Sequence, residues 1–437
     1  MNRLLIRNAT LALPDGQTVV GDCLCERGTI ARLGDTIDTK ADETIDADGH
    51  LLMPGVIDPQ VHFREPGKEY KEDLATGSRA AVAGGVTSFL EMPNTDPPTS
   101  SQAALDDKLA RAAKKSVANY GFFIGATPDN LEALNTVTPV CGIKIFMGSS
   151  TGSLLVNRRE DLERIFANGT RLIAVHAEDE ARIHERQSKF SGRTDVAAHS
   201  EVRDNTCALL ATELALSLSK QYQRRLHILH MSTREEVELL RRDKPDWVTA
   251  EVIPNHLFLN TADYAKLGAR VQMNPPIRTP ADNAALYQGL HDGIVDFIAT
   301  DHAPHTLEEK AKPYPASPAG MPGVQTSLPL MLTEMTAGRC TLGEILKWMC
   351  RGPAMAYHIP RKGELREGWD ADLTLVDLKG VRAVRDEDML TKVRWSPWIG
   401  RELTGWPIYT IVNGTVVYER GRIREGVLGK ALRFDTE

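Results

Sequence analysis

The sequence predicts an α/β fold: a (β/α)8 TIM-like barrel with a smaller β-sandwich domain formed by both termini. Three features lead there. Between residues 54 and 363, eight short apolar runs occur: VIDPQVHF, TSFLEMP, NYGFFIGA, GIKIFMG, RLIAVHAED, HILHMST, VTAEVIPNHL and DFIATDHAPH. Most are separated by helix-type stretches, and repeated strand-then-helix units make a parallel sheet that closes into a barrel at eight. The flanks, residues 1–53 and 364–437, read instead as strands and turns.

In the N-terminal flank LLIRNATLAL, TVVGDCLCERGTIARLG and TIDADGHLLMPG alternate apolar and polar positions between Gly and Asp punctuation. The C-terminal flank carries ADLTLVDL and TGWPIYTIVNGTVVYERGRI, where Asn413-Gly414 between two β-rich runs signals a hairpin. Chain ends often lie close together, so the two flanks are expected to build one composite domain. Within the middle, EDLATGSRAAVAGG and STREEVELLRRD supply helices, the second a solvated outer-ring helix. The Pro-rich stretch from Thr306 to Met321 reads as a lid beside His305 or as a plain surface loop.

A buried parallel strand should be almost continuously hydrophobic. Several of these runs end otherwise: Gln60, His62 and Arg64 close the first, Asn94 the second, and Asp301, His302 and His305 the eighth. Lys144 lies in the fourth, His176 in the fifth and His230 in the sixth. The C-terminal ends of barrel strands form the active-site face, so these side chains are expected to meet at one rim. Taken singly, His62, His176 and His230 each read more often as a satisfied structural histidine than as a ligand. Lys144 is odder, since lysine is almost never fully buried without a partner; a strand-end lysine that snorkels or pairs with Asp301 is its lesser reading. Residues i and i+2 of a strand share a face, so Gln60 and His62 point into the same mouth. His, His, Asp and a carboxylate suit a borderline cation such as zinc.

Composition excludes other classes. With 437 residues, 42% hydrophobic and 25% charged, the chain is an ordinary globular protein. A net charge of -7 gives no basic excess for nucleic acid, and no apolar run is long enough for a membrane helix. The start, MNRLLIRNATLALPDG, does not read as a secretory signal, because Arg3, Arg7 and Asn8 break its apolar stretch. Six cysteines without CxxC pairs fit reduced thiols in a cytoplasmic enzyme. The sequons at Asn168 and Asn413 then carry no meaning. Gly84-Gly85 lacks a GxGxxG context, and no GxSxG elbow is present.

The motifs DPQVHFREPG, EMPNT, GIKIFMG, VHAED, HMST, MNPPIRT, DHAPH and GMPGVQTSLPL, in this order, resemble the dihydroorotases of the amidohydrolase superfamily. The resemblance runs over essentially the whole chain. It implies a hydrolase of cyclic amides that interconverts N-carbamoyl-L-aspartate and L-dihydroorotate, with one or two Zn2+ per subunit. His62 then matches a ligand of the more buried metal, and Lys144 the lysine whose carbamate bridges two metals. His176 and His230 match ligands of the second metal, and Asp301 the aspartate that binds metal and shuttles the proton. Arg64, Asn94 and His305 match the groups that hold the substrate carboxylate; Asn274 and Gly323 match positions that touch the pyrimidine ring. The resemblance also implies a homodimer, or assembly with aspartate carbamoyltransferase.

One position departs from the pattern: Gln60 stands where the first histidine of HxH is expected. A neutral amide oxygen is a weaker zinc ligand than imidazole, so the first metal is expected to bind loosely or not at all; simple substitution with normal occupancy is the other reading. Two rival functions remain open at this point. One is another cyclic amidase, such as an allantoinase or hydantoinase. The other is an inactive homologue that serves as a structural partner of aspartate carbamoyltransferase.

Overall fold

The computed structural model describes residues 3–149 and 154–435. Both flanks join one nine-stranded mixed sheet, assembled from strands between Arg3 and Pro54 and between Leu373 and Ile423. The two halves meet where Leu51–Pro54 pairs in parallel with Arg3–Ala12 and antiparallel with Leu373–Ala383. The sheet folds as a sandwich around Leu4, Ile6, Cys23, Cys25, Leu52, Leu373 and Ile411, all at most 1% exposed. At the hairpin, Asn413 and Gly414 both take positive φ (49° and 74°), as a two-residue turn of right-handed twist requires.

The barrel strands are short and almost wholly buried on both faces. Strand one is Val56–Val61 and strand two Val86–Glu91. Strand three is split into Asn119–Phe122 and Ile124–Gly125, and strand four is Ile143–Phe146. Strands five to eight are Ile173–His176, Leu226–Ile228, Val248–Val252 and Phe297–Ile298. All neighbouring pairs are parallel. The split in strand three lets its first half pair with strand two and its second with strand four. The C-terminal segment covers the open edge of the first half, where Tyr120 N–H donates to Lys430 O and Leu432 N–H to Tyr120 O.

Outer helices begin on sequence-encoded caps. Asp73 caps Leu74–Ala83, and Thr233 with Glu236 forms a capping box on Arg234–Asp243. The helix Leu74–Ala83 starts two residues later than EDLATGS suggests, because Asp73 is spent as the cap and Glu72 turns inward, fully buried. The segment from Val384 to Trp398 lies in the C-terminal flank of the sequence, yet it packs on the barrel mouth. There Val384, Met389, Trp395 and Trp398 join Ile253, Met273 and Met321 in one cluster.

The seam between strands one and eight has little ladder. His62 N–H donates to His302 O (2.7 Å), and a buried carboxylate supplies the rest. Asp58 Oδ1 accepts from Thr300 N (3.1 Å) and Gln60 N (3.3 Å), and Oδ2 accepts from Thr300 Oγ1 (2.5 Å). Burial pushes the Asp58 carboxyl up to about 7, although the Thr300 hydroxyl draws it down. The folded state therefore binds more protons at Asp58 than the unfolded chain between pH 4 and 7. Stability from this group is full at low pH and is lost as pH rises through that window. Asp58→Asn is expected to remove this slope, which urea denaturation at pH 5 and pH 7 would read as a smaller difference between the two pH values than in the wild type.

Candidate active site at the barrel mouth

Eight of the residues singled out in the sequence line one narrow cavity of about 20 Å³: Gln60, His62, Arg64, Lys144, His176, His230, Asn274 and Asp301. They come from the C-terminal ends of strands one, four, five, six and eight and from the stretch after strand seven. Phe146, Ala303, Ala319 and Gly320 complete the wall. Three of these side chains sit on backbone in the left-handed region: Arg64 (φ 63°), His230 (φ 36°) and Asp301 (φ 47°). Non-glycine residues are costly there, and such strain gathers where a fold must aim a side chain.

The polar groups meet in pairs. His62 Nε2 lies 3.0 Å from Asp301 Oδ1, and Gln60 Nε2 donates to the same oxygen at 3.2 Å. That leaves Gln60 Oε1 buried without a partner. On the opposite wall His176 Nδ1 and His230 Nε2 are 3.1 Å apart, and His230 Nδ1 is buried and unpartnered. Among the described residues no three His, Cys, Asp or Glu side chains form a ready-made cation cluster. The donor set still fits a cation. Two imidazoles bring ring nitrogens to within 3.1 Å of each other, and the His62–Asp301 pair borders the same cavity.

Two of the three ligand-type histidines, His62 and His176, are aimed from behind. Asn94 Oδ1 stands 2.7 Å from His62 Nδ1, which leaves Nε2 to face Asp301. Glu178 Oε2 accepts from His176 Nε2–H (3.0 Å), so Nδ1 presents its lone pair to the cavity. Burial would raise the Glu178 carboxyl, but Arg203, His176 and Arg278 outweigh it and hold it at about 2. Burial disfavours the imidazolium forms of His62, His176 and His230, which favours the neutral state that binds metal.

Lys144 is 1% exposed, with Nζ 4.5 Å from the Phe146 ring centroid. Burial lowers its ammonium to about 7, against the pull of Asp301 and Glu251. An appreciable fraction is then free amine at neutral pH, the form that reacts with carbon dioxide.

The carboxylate-type groups lie to one side. Arg64 Nε donates to Pro304 O (3.3 Å), and Nη2 lies 3.3 Å from His305 Nε2. Burial draws the Arg64 guanidinium down to about 10, so it remains charged. Asn94 and His305 stand behind the cavity wall rather than in it. Asn274 lines the cavity while its Oδ1 holds His199 Nε2 (2.8 Å). Gly323 does not line it; its N–H donates to His302 Nδ1 (3.1 Å). Gly320 does line it, and a Cβ there would stand 2.4 Å from Ala303 O.

The stretch from Thr306 to Met321 is pinned. Lys310 Nζ donates to Gln272 O, Pro318 O and Gly320 O at 3.0, 2.9 and 2.9 Å. Asp58, Lys71, Glu178, Lys310 and Gly320 are the supporting residues that motif reading passes over. Asp58 and Glu178 alone carried a signal, as charges inside the apolar runs VIDPQVHF and RLIAVHAED.

The chain matches the model of the amidohydrolase family over residues 51–417. It is 38% identical to the dihydroorotase of Methanosarcina acetivorans over 415 residues, 91% of this chain and 88% of that one. It is 34% identical to the dihydroorotase of Bacillus subtilis over 429 residues, 96% and 99% of the two chains. Among solved structures it resembles the L-hydantoinase (dihydropyrimidinase) of Arthrobacter aurescens, with a TM-score of 0.94, 31% identity and coverage of 99% and 100%. The dihydropyrimidinase of Brevibacillus agri follows at a TM-score of 0.90, 26% identity and coverage of 98% of each chain.

Proposed function

The chain belongs to the amidohydrolase family and is a hydrolase of cyclic amides, and from that premise we propose that its substrate pair is L-dihydroorotate and N-carbamoyl-L-aspartate. The observation that carries this reading is a buried, charged guanidinium, Arg64, at the edge of the cavity beside His305 and Asn274. A planar fork of donors suits the ring carboxylate of dihydroorotate, and a buried cation calls for an anion. The likeness to hydantoinase structures favours a second reading, a neutral cyclic ureide as substrate. Nothing anionic in such a ring would answer Arg64.

We assign His176 and His230 to one zinc ion and His62, Asp301 and carboxylated Lys144 to the approach of a second. Free Lys144 amine adds carbon dioxide and releases a proton, giving a carbamate that serves as a carboxylate. Zinc held there would polarise the ring carbonyl and bring the pKa of a water from about 15.7 toward about 7. Asp301, shared between His62 and Gln60, is placed to accept the proton of the attacking water and pass it to the departing ring nitrogen. In the direction of ring closure the same carboxyl, protonated, returns it. Gln60 occupies the first ligand seat with its amide nitrogen on Asp301. The reverse orientation would set Oε1 against a carboxylate oxygen. Gln60 thus competes with metal for Asp301 instead of adding a ligand.

Purified protein supplied with zinc is expected to turn over L-dihydroorotate, with carbamoyl-aspartate as product, and to leave hydantoin and allantoin untouched. Arg64→Met should lower kcat/KM for dihydroorotate by the equivalent of about 2–5 kcal/mol, the usual cost of truncating one partner of a buried charge pair. An unchanged kcat/KM would remove Arg64 from the site. Zinc titration with bound metal counted should give one tight and one weak site in the wild type and two tight sites in Gln60→His. Two equally tight sites in the wild type would contradict the assignment of Gln60.

A further inference from the structure

Behind Arg64 and His305 lies a lysine that the proposed reaction does not use. Lys71 follows strand one in the loop before the helix Leu74–Ala83, and it is 7% exposed. Its Nζ stands 2.9 Å from His305 Nδ1 and 2.9 Å from Glu309 Oε1. The other ring nitrogen, His305 Nε2, lies 3.0 Å from Ala319 O and 3.3 Å from Arg64 Nη2. Trp395 Nε1–H donates to His305 O at 2.8 Å, so the backbone at this residue is also held.

The shorter of these contacts favour one arrangement of protons, and Arg64 Nη2, itself a donor, is left facing Nε2 at 3.3 Å. An ammonium is a donor without lone pairs, so the ring atom facing it must accept. With Nδ1 as acceptor, Nε2 carries the hydrogen and donates to Ala319 O. The other tautomer would turn an N–H toward the ammonium and a lone pair toward a carbonyl oxygen. The imidazolium would also turn an N–H toward the ammonium, with Arg64 and Lys310 adding further positive charge and Glu309 alone opposing them.

We propose that Lys71 is a positioning residue that fixes His305 as the neutral Nε2–H tautomer, so that the N–H held by Ala319 O, rather than a lone pair, is what a substrate carboxylate beside the Arg64 guanidinium can draw on. The inference rests on the reading that His305 meets that carboxylate. Burial, with Arg64 and Lys71 against the pull of Glu309, holds the His305 imidazolium down at about 3, in keeping with a neutral ring. Glu309 has a second part. It lies 3.7 Å from His305 Nδ1, and it keeps Lys71 in place. Without the ammonium it becomes the natural acceptor for an Nδ1–H, which would flip the tautomer and leave an Nε2 lone pair facing the carboxylate.

The test compares wild type, Lys71→Met and Lys71→Arg as zinc-loaded proteins. The 15N spectrum of histidine-labelled protein, with His305 assigned through His305→Gln, reads the tautomer directly. Wild type and Lys71→Arg should show Nε2–H, and Lys71→Met should show Nδ1–H. KM for L-dihydroorotate should be flat from pH 6 to 8.5 in the wild type. In Lys71→Met it should be raised roughly tenfold at the alkaline end, the weight of about one charge-assisted hydrogen bond. It should then fall toward acid pH as the ring gains its second N–H, with the loss on KM rather than kcat. Lys71→Arg should restore the flat profile. An Nε2–H signal that persists in Lys71→Met, or a KM profile parallel to the wild type, overturns the inference. A tautomer that switches in a protein inert toward dihydroorotate would instead sink the substrate reading and leave the Lys71 contact as stated.

Discussion

The barrel closes on a carboxylate. Strands one and eight exchange few backbone hydrogen bonds, and Asp58 bridges them by accepting from the backbone and hydroxyl of Thr300 and from the Gln60 amide. This placement decides where the reacting groups lie. Gln60 and His62 follow Asp58 on one side of the seam, Asp301 follows Thr300 on the other, and the three meet within 3.2 Å. A buried polar bridge of this kind is directional where hydrophobic packing is not, so it fixes the register of the two strand ends to the precision that proton transfer needs.

Outward from the seam the same logic repeats. Two of the rings that face the cavity are backed by an acceptor: Asn94 for His62 and Glu178 for His176. Arg203 pairs with Glu178, and its carbonyl in turn accepts from Arg278. His302, next to Asp301, accepts from the Gly323 and Val324 amides and donates to Glu72. Glu72 also accepts from Thr391, in the segment that follows the sandwich strand Leu373–Ala383. The sandwich therefore reaches the mouth of the barrel through a short stretch of chain, and Trp395 from that stretch holds the carbonyl of His305.

Much of this was legible in the letters. Eight apolar runs with polar ends give a barrel and its rim, and residues on one strand face, such as Gln60 and His62, separate by period two. The hairpin at Asn413-Gly414 follows from the φ its turn demands. What was not legible is the layer behind the rim. Lys71 and Glu72 sit in the charged run KEYKED, which reads as surface, because burial of a charge depends on partners from distant segments: His305 and Glu309 for one, His302 and Thr391 for the other. Asn94 and Gly323 illustrate the same limit in reverse. Motif position brings both near the site, but the structure turns Asn94 onto His62 and Gly323 onto His302. The C-terminal segment that covers the open edge of strand three likewise depends on contacts hundreds of residues apart, Tyr120 with Lys430 and Leu432.

The central claim is that a charged pocket beside a cyclic-amide site selects an acidic ring. The most direct measurement is kcat/KM for L-dihydroorotate against dihydrouracil, which is the same ring without the carboxylate. Both share the scissile amide, so the ratio isolates what Arg64 and its neighbours contribute. A preference for dihydroorotate of at least about 30-fold, the equivalent of about 2 kcal/mol, is the predicted result. Equal turnover of the two, or faster turnover of dihydrouracil, would contradict it and set the protein beside the neutral-ring amidases.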